Sequence, residues 1–218
     1  MRNKLGFLCI ALGVLLLSGA IVLQLYNRAE ASSAENSAQE LVPQLVAQIQ
    51  INQNEAVPAT EPVQTGDKFV TVAPEPDYEM KEEEIDGHLY IGILSIPDLE
   101  LELPIMSDWS YPKLRIAPCR YHGTVLGGDL VLVAHNYKRH FGRLSELQEG
   151  AVVTFIDVEG LATSYEVVGR DVLPPTAVEE MTAGDYDLTL FTCTYGGESR
   201  VTIYLDRISY GAETGSNT

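Results

Sequence analysis

Residues 186–207 read YDLTLFTCTYGGESRVTIYLDR, and their pattern decides the fold. Two apolar runs rich in β-branched and aromatic residues flank a short loop with two glycines, which predicts two strands joined as a hairpin. Because side chains alternate across a strand, Leu188 and Leu190 share one face and Cys193 lies on the other. The leucines belong in a core, so we expect Cys193 to face a groove at the end of its strand.

Similar runs recur from His88 onward and predict an all-β domain with short helices. They are LYIGILSI, LELELPI, GGDLVLVAH, AVVTFIDV and ATSYEVVGRDVL, with a helical turn near 111–116 and a short helix at FGRLSELQEG. No stretch repeats the strand–helix alternation of a parallel α/β sheet. The seven or more short strands that the sequence indicates predict a closed or nearly closed β-barrel.

Two further residues are placed to act with Cys193. His135 ends the run LVLVAH in the same way that Cys193 ends LTLFTC, so two central strands would bring both side chains to one end of the barrel. Arg200 begins the strand after the loop, and a hairpin returns it to the cysteine. There its guanidinium would stabilise an oxyanion or hold a substrate carbonyl. Taken singly, a strand-end histidine or cysteine is more often structural.

The N-terminal segment MRNKLGFLCIALGVLLLSGAIVLQLYNR has the pattern of a membrane anchor. Arg2 and Lys4 precede 22 uncharged residues, Leu5 to Tyr26. A helix of that length measures about 33 Å, enough for a hydrocarbon core of about 30 Å. The basic flank predicts residues 1–4 in the cytoplasm, a transmembrane signal anchor at 5–26 and the remainder outside. A cleaved signal peptide is the alternative.

Residues 27–87 are predicted to be a flexible extracytoplasmic stalk. They carry 3 basic and 13 acidic residues and lack an apolar period, except for QELVPQLVAQIQ, a short helix interrupted at Pro43. Such a linker lets a tethered domain explore a shell near the membrane. The folded domain is then expected at 88–210, followed by a flexible tail at 211–218.

Net charge and cysteine content exclude some classes and leave two alternatives for the thiols. The formal net charge of −17 argues against nucleic-acid binding, which needs a basic surface. Outside the apolar segment, which holds Cys9, only Cys119 and Cys193 remain, too few for a disulfide framework. A single Cys119–Cys193 disulfide is one alternative. The other is a zinc site of Cys119, His122, His135 and Cys193, although this spacing matches no common zinc motif.

Taken in order, these motifs resemble those of the sortases, cysteine transpeptidases of Gram-positive surfaces. IGILSIPDLELELPI is similar to the family's first two strands, YHGTVLGGDLVLVAHN to its approach to the histidine, and LTLFTC followed by arginine to its nucleophile motif. The resemblance covers residues 88–210. It implies an eight-stranded sortase-like β-barrel, which in this family commonly follows an N-terminal anchor and stalk.

The resemblance also implies roles and partners. Cys193 would be the nucleophile that forms an acyl thioester, His135 the acid/base partner and Arg200 the oxyanion or substrate-positioning group, while Thr192 and Tyr195 would contact substrate. The substrate would be an LPXTG-like sorting signal on a surface or pilin protein, and the acceptor an amine of a cell-wall precursor or a lysine. No cofactor is implied, and the calcium ligands of some members cannot be identified.

The short loop after Cys193 leaves undecided which class of sortase the sequence resembles. Only six residues separate Cys193 from Arg200, which argues against subgroups with a long or helical insertion there and leaves the sortase class open. The alternative from another functional class is a membrane-tethered β-domain that binds wall or surface proteins without catalysis.

Overall fold

Strands dominate the computed structural model, which describes residues 2–55, 79–194 and 196–208. The strands are β1 (Glu83–Ile85), β2 (His88–Ile96), β3 (Leu101–Met106), β4 (Cys119–His122), β5 (Leu130–Ala134), β6 (Val152–Asp157), β7 (Ala162–Leu173), β8 (Leu188–Cys193) and β9 (Arg200–Arg207). The helices are α1 (Arg2–Glu55), α2 (Tyr111–Leu114) and α3 (Val178–Thr182). Single 3₁₀ turns lie at Pro97–Leu99 and Leu144–Glu146.

The sheet closes on itself as a barrel of eight strands. Its order is β1-β2-β3-β4-β5-β8-β9-β7-β6, and β6 also pairs with β2, so β2 through β9 form the ring and β1 adds to one edge. The pairs β3–β4 and β5–β8 are parallel, whereas the other pairs are antiparallel. The closed all-β barrel predicted from the strand pattern is therefore confirmed.

The barrel encloses one hydrophobic cluster, to which most strands contribute alternate residues. Fully buried members include Leu94, Leu132, Leu190 and Ile203. Burial of an aliphatic side chain of this size stabilises the fold by about 1.5–3 kcal/mol. Closure depends on Gly92, because a Cβ there would lie 2.1 Å from the carbonyl oxygen of Ile156 where β2 passes β6.

A second cluster lies on the outer face of the barrel and holds α1 in place. Strand residues such as Tyr90, Met106, Cys119 and Phe191 belong to it, together with three residues of α1: Leu41, Leu45 and Ile49. These three are spaced as on one face of a helix. The helix is also fixed at its end, where the Asn52 and Gln53 side chains donate hydrogen bonds of 2.9 and 3.1 Å to the carbonyl oxygens of Val158 and Gly160.

The predicted flexible stalk is wrong for residues 27–55. Helix α1 continues through Pro43 to Glu55 instead of ending at the proline. A proline inside a helix costs about 3 kcal/mol, and burial of Leu41, Leu45 and Ile49 against the barrel offsets that cost. Residues 56–78 of the predicted stalk lie outside the described residues, as does the predicted tail at 211–218.

Three smaller expectations also differ from the structure. The domain begins before His88, because β1 forms a hairpin with β2 through Asp86 and Gly87, both of which have positive φ. The stretch FGRLSELQEG forms only a 3₁₀ turn at Leu144–Glu146. Strand β4, with the sequence CRYH, has too few apolar residues to be recognised as a strand.

The N-terminal part of α1 is exposed and apolar. Its described large apolar side chains between Phe7 and Tyr26 are all exposed. Among the described residues, α1 alone is long and apolar enough to cross a membrane, judged by length and composition.

Candidate active site

Strand register brings His135, Cys193 and Arg200 together at one end of the barrel. Strands β5 and β8 run parallel as far as the pair Ala134–Thr192, and the next residues along the two strands are His135 and Cys193. Strand β9 returns with Arg200 directly opposite Cys193. Residues opposite one another have Cβ atoms about 4.5–5.5 Å apart on the same face of the sheet. The three side chains therefore form one row, with the cysteine in the middle.

The row faces outward, as the alternation in YDLTLFTC predicts. Leu188 and Leu190 lie in the cluster inside the barrel, whereas Phe191 lies in the outer cluster. Cys193 comes two residues after Phe191, on the same face and at the strand end. It is half-buried and carries a free thiol, so the thiol lies at the border between the packed outer face and solvent.

His135 is held by a rigid turn. The backbone N–H of Phe141 donates to the carbonyl oxygen of His135 over 3.2 Å, and those of His140 and Gly142 donate to that of Tyr137 over 2.9 Å. A Cβ on Gly142 would lie 2.4 Å from the carbonyl oxygen of Asn136, so the turn requires glycine at that position.

The imidazole of His135 packs against a tyrosine that the sequence analysis missed. The ring centroids of His135 and Tyr137 are 4.9 Å apart, and Tyr137 packs at 5.4 Å against His140, which is fully buried. Burial lowers the pKa of His135, and the nearby Glu30 carboxylate partly opposes that effect. The neutral imidazole is therefore favoured at rest.

Helix α1 supplies a carboxylate, that of Glu30, which acts on the pKa of the histidine. Glu30 pairs with Arg115 at 2.8 Å, and a hydrogen bond with Glu30 adds to the burial that raises the pKa of Tyr137. The Arg115 guanidinium acts on His135 in the same direction as burial and lowers its pKa. No sequence signal identifies Glu30, because its position depends on the packing of α1 against the barrel.

Comparison with known proteins gives the family. Residues 94–208, more than half of the chain, match the family model of the sortase domain. The chain belongs to the sortase family. Sortase C1 from Streptococcus suis is 31% identical over 57% of this chain and 76% of that chain, with a TM-score of 0.50.

Two further solved structures resemble this sortase. Sortase C1 from Streptococcus agalactiae is 26% identical over 59% of this chain and 72% of that chain, with a TM-score of 0.51. Sortase C from Clostridium perfringens SM101 is 20% identical over 86% of this chain and 98% of that chain, with a TM-score of 0.50, and shares the fold. No curated protein matches the sortase sequence.

Arg200 is held in this sortase by the short loop that precedes it. Its Nη1 donates to the carbonyl oxygens of Gly197 and Ser199, each at 3.2 Å. The loop is closed by a 2.9 Å hydrogen bond from the backbone N–H of Thr194 to the carbonyl oxygen of Ser199. The guanidinium thus lies over the loop beside Cys193. Tyr195 lies outside the described residues.

The side chain of Thr192, which is predicted to contact the substrate, is buried in the structure. Its side chain is only 3% exposed, and its hydroxyl donates a 2.8 Å hydrogen bond to the carbonyl oxygen of Ala134. Thr192 alternates inward with Leu190 and joins β5 to β8 immediately before His135 and Cys193. In this position the hydroxyl supports the alignment of the two strand ends.

Cys119 is separate from the site, which excludes the predicted disulfide alternative. Strands β4 and β8 flank β5 on opposite sides, so the two cysteines are two strand spacings apart, about 10 Å, whereas disulfides need Cα atoms within about 7 Å. Cys119 is fully buried, its thiol donates to the carbonyl oxygen of Ala117 over 3.4 Å, and burial raises its pKa to about 12.

The zinc alternative finds no support in the geometry. His122 pairs with Asp129, their side-chain atoms 3.7 Å apart, on the part of β4 that lies away from His135. In the three described segments, no group of three or more histidine, cysteine or acidic side chains is placed to hold a metal ion.

Proposed function

We propose that this sortase is a membrane-anchored transpeptidase in which Cys193 is the nucleophile, His135 the acid/base and Arg200 the group that stabilises the oxyanion or positions the substrate. The observation that carries the proposal is the row of these side chains on β5, β8 and β9, with Cys193 between its two partners. Family membership supports the reaction class, since sortases are cysteine transpeptidases.

The first half of the reaction forms a thioester. The Cys193 thiolate attacks the carbonyl carbon of the scissile peptide bond, and the electron pair of the carbonyl moves onto its oxygen. Arg200, which pairs with Cys193 across the two strands, stabilises that charge with its guanidinium. When the C–N bond breaks, protonated His135 gives its proton to the departing amine, which leaves an acyl thioester on Cys193 and a neutral imidazole.

The second half transfers the acyl group. An incoming amine attacks the thioester carbonyl, His135 accepts a proton from the attacking nitrogen, and the thiolate leaves. The product is a new amide bond, and the enzyme returns to its thiolate and imidazolium form. Water in place of the amine would give hydrolysis, so the competition between the two determines whether transfer or cleavage is observed.

Burial of the His135 imidazole limits the fraction of enzyme that has the protonated histidine needed for the first step. Because burial lowers the pKa of His135, a minor fraction of the histidine carries the required proton at neutral pH. Glu30 increases that fraction, since its carboxylate favours the charged imidazole. The rate should therefore respond to this carboxylate although it belongs to the N-terminal helix.

The proposed substrate and location follow from the family and from α1. The substrate is a surface or pilin protein with an LPXTG-like sorting signal, and the acceptor is an amine of a cell-wall precursor or a pilin lysine. Residues 1–4 lie in the cytoplasm, 5–26 cross the membrane and the barrel lies outside. The apolar, exposed N-terminal part of α1 supports this topology.

The test uses the full chain in detergent with a panel of sorting peptides and amine acceptors, followed by mass spectrometry of the products. We expect a peptide cleaved at the sorting signal and joined to the acceptor amine, with no product from the Cys193→Ala variant. Absence of any cleaved or joined peptide across the panel would favour the non-enzymatic binding domain. Product from the Cys193→Ala variant would contradict the proposed nucleophile.

A further inference from the structure

The imidazole of His135 lies just beyond the last residue of β5 that the sheet holds. Pairing of β5 with β8 ends at Ala134. The main chain of His135 is held instead by the backbone N–H of Phe141, which donates to its carbonyl oxygen over 3.2 Å. That bond does not select a rotamer of the side chain, yet an acid/base must point at the reacting atoms. The orientation of the imidazole therefore depends on the side chains packed around it.

Tyr137 is the aromatic residue that packs against this imidazole. The two ring centroids are 4.9 Å apart and the ring planes are tilted by 39°, within the range of favourable aromatic pairs. Within residues 2–55, 79–194 and 196–208, no hydrogen bond reaches the ring of His135. The contact with Tyr137 therefore restricts the rotation of the imidazole.

Tyr137 is itself held firmly in the turn that follows His135. Its carbonyl oxygen accepts hydrogen bonds from the backbone N–H groups of His140 and Gly142, each over 2.9 Å. Its ring packs at 5.4 Å against the ring of His140, which is fully buried. A tyrosine held at both its main chain and its ring is a stable support for a neighbouring side chain.

The hydroxyl end of Tyr137 interacts with helix α1. Burial raises the pKa of Tyr137 most, and the Glu30 carboxylate raises it further by its charge and by a hydrogen bond, whereas Arg115 lowers it. Tyr26, one turn earlier on α1, also acts on this hydroxyl. The same Glu30 carboxylate pairs with Arg115 at 2.8 Å. Helix α1, the residue after α2 and the turn after His135 therefore meet around Tyr137.

The position of Glu30 depends on how α1 lies on the barrel. The buried face of the helix begins at Ala38, and Glu30 lies about 12 Å before it along the axis. The ion pair with Arg115 joins this part of the helix to the barrel, but the Arg115 side chain is largely exposed, and exposed ion pairs are weak. Tyr137 thus gives the Glu30 carboxylate a second partner on the barrel.

We propose that Tyr137 is a positioning residue, whose ring holds the imidazole of His135 toward Cys193 and whose hydroxyl connects that ring to Glu30 of α1. The proposal rests on the proposed role of His135 as acid/base. It makes α1 a part of the catalytic domain as well as its anchor. Because Tyr137 acts through His135, its loss should lower kcat and leave the KM for the sorting peptide nearly unchanged.

Two substitutions separate the ring from the hydroxyl. In the full chain in detergent, Tyr137→Leu should lower kcat by about tenfold, because a small displacement of a catalytic group is costly. Tyr137→Phe keeps the ring and should lower kcat only a few-fold. Tyr186→Leu is the matched control and should retain wild-type kcat, since Tyr186 is also half-buried and stacks on a second ring, that of Tyr204, at 4.4 Å. Equal kcat values for Tyr137→Leu and Tyr137→Phe would overturn positioning by the ring.

A double-mutant cycle tests the connection to α1. Glu30→Gln and Tyr137→Phe remove the two sides of one contact, so Tyr137→Phe should cause no further loss of kcat in the Glu30→Gln background. Glu40→Gln, on the same helix, is the control background, in which Tyr137→Phe should have its full effect. If Tyr137→Phe lowers kcat equally in both backgrounds, the hydroxyl acts independently of Glu30 and the connection is wrong.

The histidine can also be observed without any reaction. The full chain is labelled with carbon-13 at histidine, and the NMR signal of His135 is assigned by its absence from the His135→Gln variant. We expect Tyr137→Leu to shift and broaden that signal and Tyr186→Leu to leave it in place, while unchanged signals of His88 and His122 report an intact fold. An unchanged His135 signal in Tyr137→Leu would overturn the proposal whether or not peptide is cleaved. Failure of the wild type to cleave peptide would instead contradict the proposed function.

Discussion

Two cysteines lie on the outer face of one sheet, and their surroundings differ in every respect that matters for reactivity. Cys119 lies within the packed outer cluster, pairs with Val133 of β5 and is fully buried. Cys193 lies at a strand end, is half-buried and has His135 and Arg200 on the two neighbouring strands. The buried position makes the Cys119 thiol inert. The strand end gives the Cys193 thiol two polar neighbours, His135 and Arg200, and access to solvent.

The largest expected effect comes from removing the thiol at the strand end. Cys193→Ala should abolish cleavage of sorting peptides, because no other described group in the row can form the thioester. Cys119→Ala is the matched control and should retain activity close to that of wild type. Peptide cleavage by the two variants, measured side by side, checks the comparison; equal losses would show that the cysteines are not functionally distinct.

Removal of the acid/base should have the next largest effect. General acid–base catalysis contributes about 10²–10⁴-fold, so His135→Gln should lower kcat/KM by about that factor. His122→Gln, on the same sheet but paired with Asp129, serves as the control. Steady-state cleavage kinetics measure both variants, and a His135→Gln rate within a few-fold of wild type would contradict the assignment.

Arg200 should affect turnover more than folding. One donor to an oxyanion is worth about 10²–10³ in kcat, and lysine cannot reproduce the planar fork of a guanidinium. Arg200→Lys should therefore lower kcat by about 10²-fold while thermal unfolding stays near that of wild type. Arg170→Lys, which alters an arginine bound to the carbonyl oxygen of Ser145, is the control. If the Arg200→Lys variant turns over substrate as fast as wild type, Arg200 does not stabilise the oxyanion.

The rates at which the Cys193 and Cys119 thiols react with an alkylating reagent test the same comparison without a substrate. In a Cys9→Ala background, a small alkylating reagent should modify Cys193 in the folded protein and leave Cys119 unmodified until the protein unfolds, since Cys119 is buried and burial raises its pKa to about 12. Cys119→Ala should lower the free energy of unfolding by about 1 kcal/mol. Peptide mapping after alkylation distinguishes the two thiols. Fast modification of Cys119 in the folded protein would contradict the claim that only Cys193 is accessible and reactive.

The smallest effect is expected at Glu30. Its carboxylate raises the pKa of His135 against the effect of burial, so Glu30→Gln should lower that pKa. The acid limb of the pH–rate profile should move to lower pH, and the maximum rate should decrease because less imidazolium is present. Glu40→Gln, on the same helix, is the control. An unmoved acid limb would show that Glu30 does not act on the histidine.

The sequence predicted those parts of the protein that depend on local patterns. Runs of β-branched and aromatic residues indicated most strands of the barrel, and the ends of two runs located His135 and Cys193. Alternation placed Leu190 inside and Cys193 outside, as found. The sequence placed Arg200 beside Cys193 because the loop between them is short, and a short hairpin loop brings the second strand back next to the end of the first.

Features that depend on tertiary contacts could not be predicted in this way. The stripe of Leu41, Leu45 and Ile49 is short, polar residues and Pro43 surround it, and only the barrel explains why it is helical. Glu30 acts on His135 because α1 passes the end of the barrel that holds the histidine. Thr192 could be assigned to the interior by alternation, yet its bond to Ala134 depends on the pairing of β5 with β8.

The most direct measurement is the site of the covalent intermediate. Wild-type enzyme and a sorting peptide are mixed without an amine acceptor, quenched in acid and digested, and the acylated peptide is identified by mass spectrometry. We predict one thioester, on Cys193, that disappears when an amine acceptor is added. A thioester on Cys119, or cleavage of the peptide with no thioester on Cys193, would contradict the account.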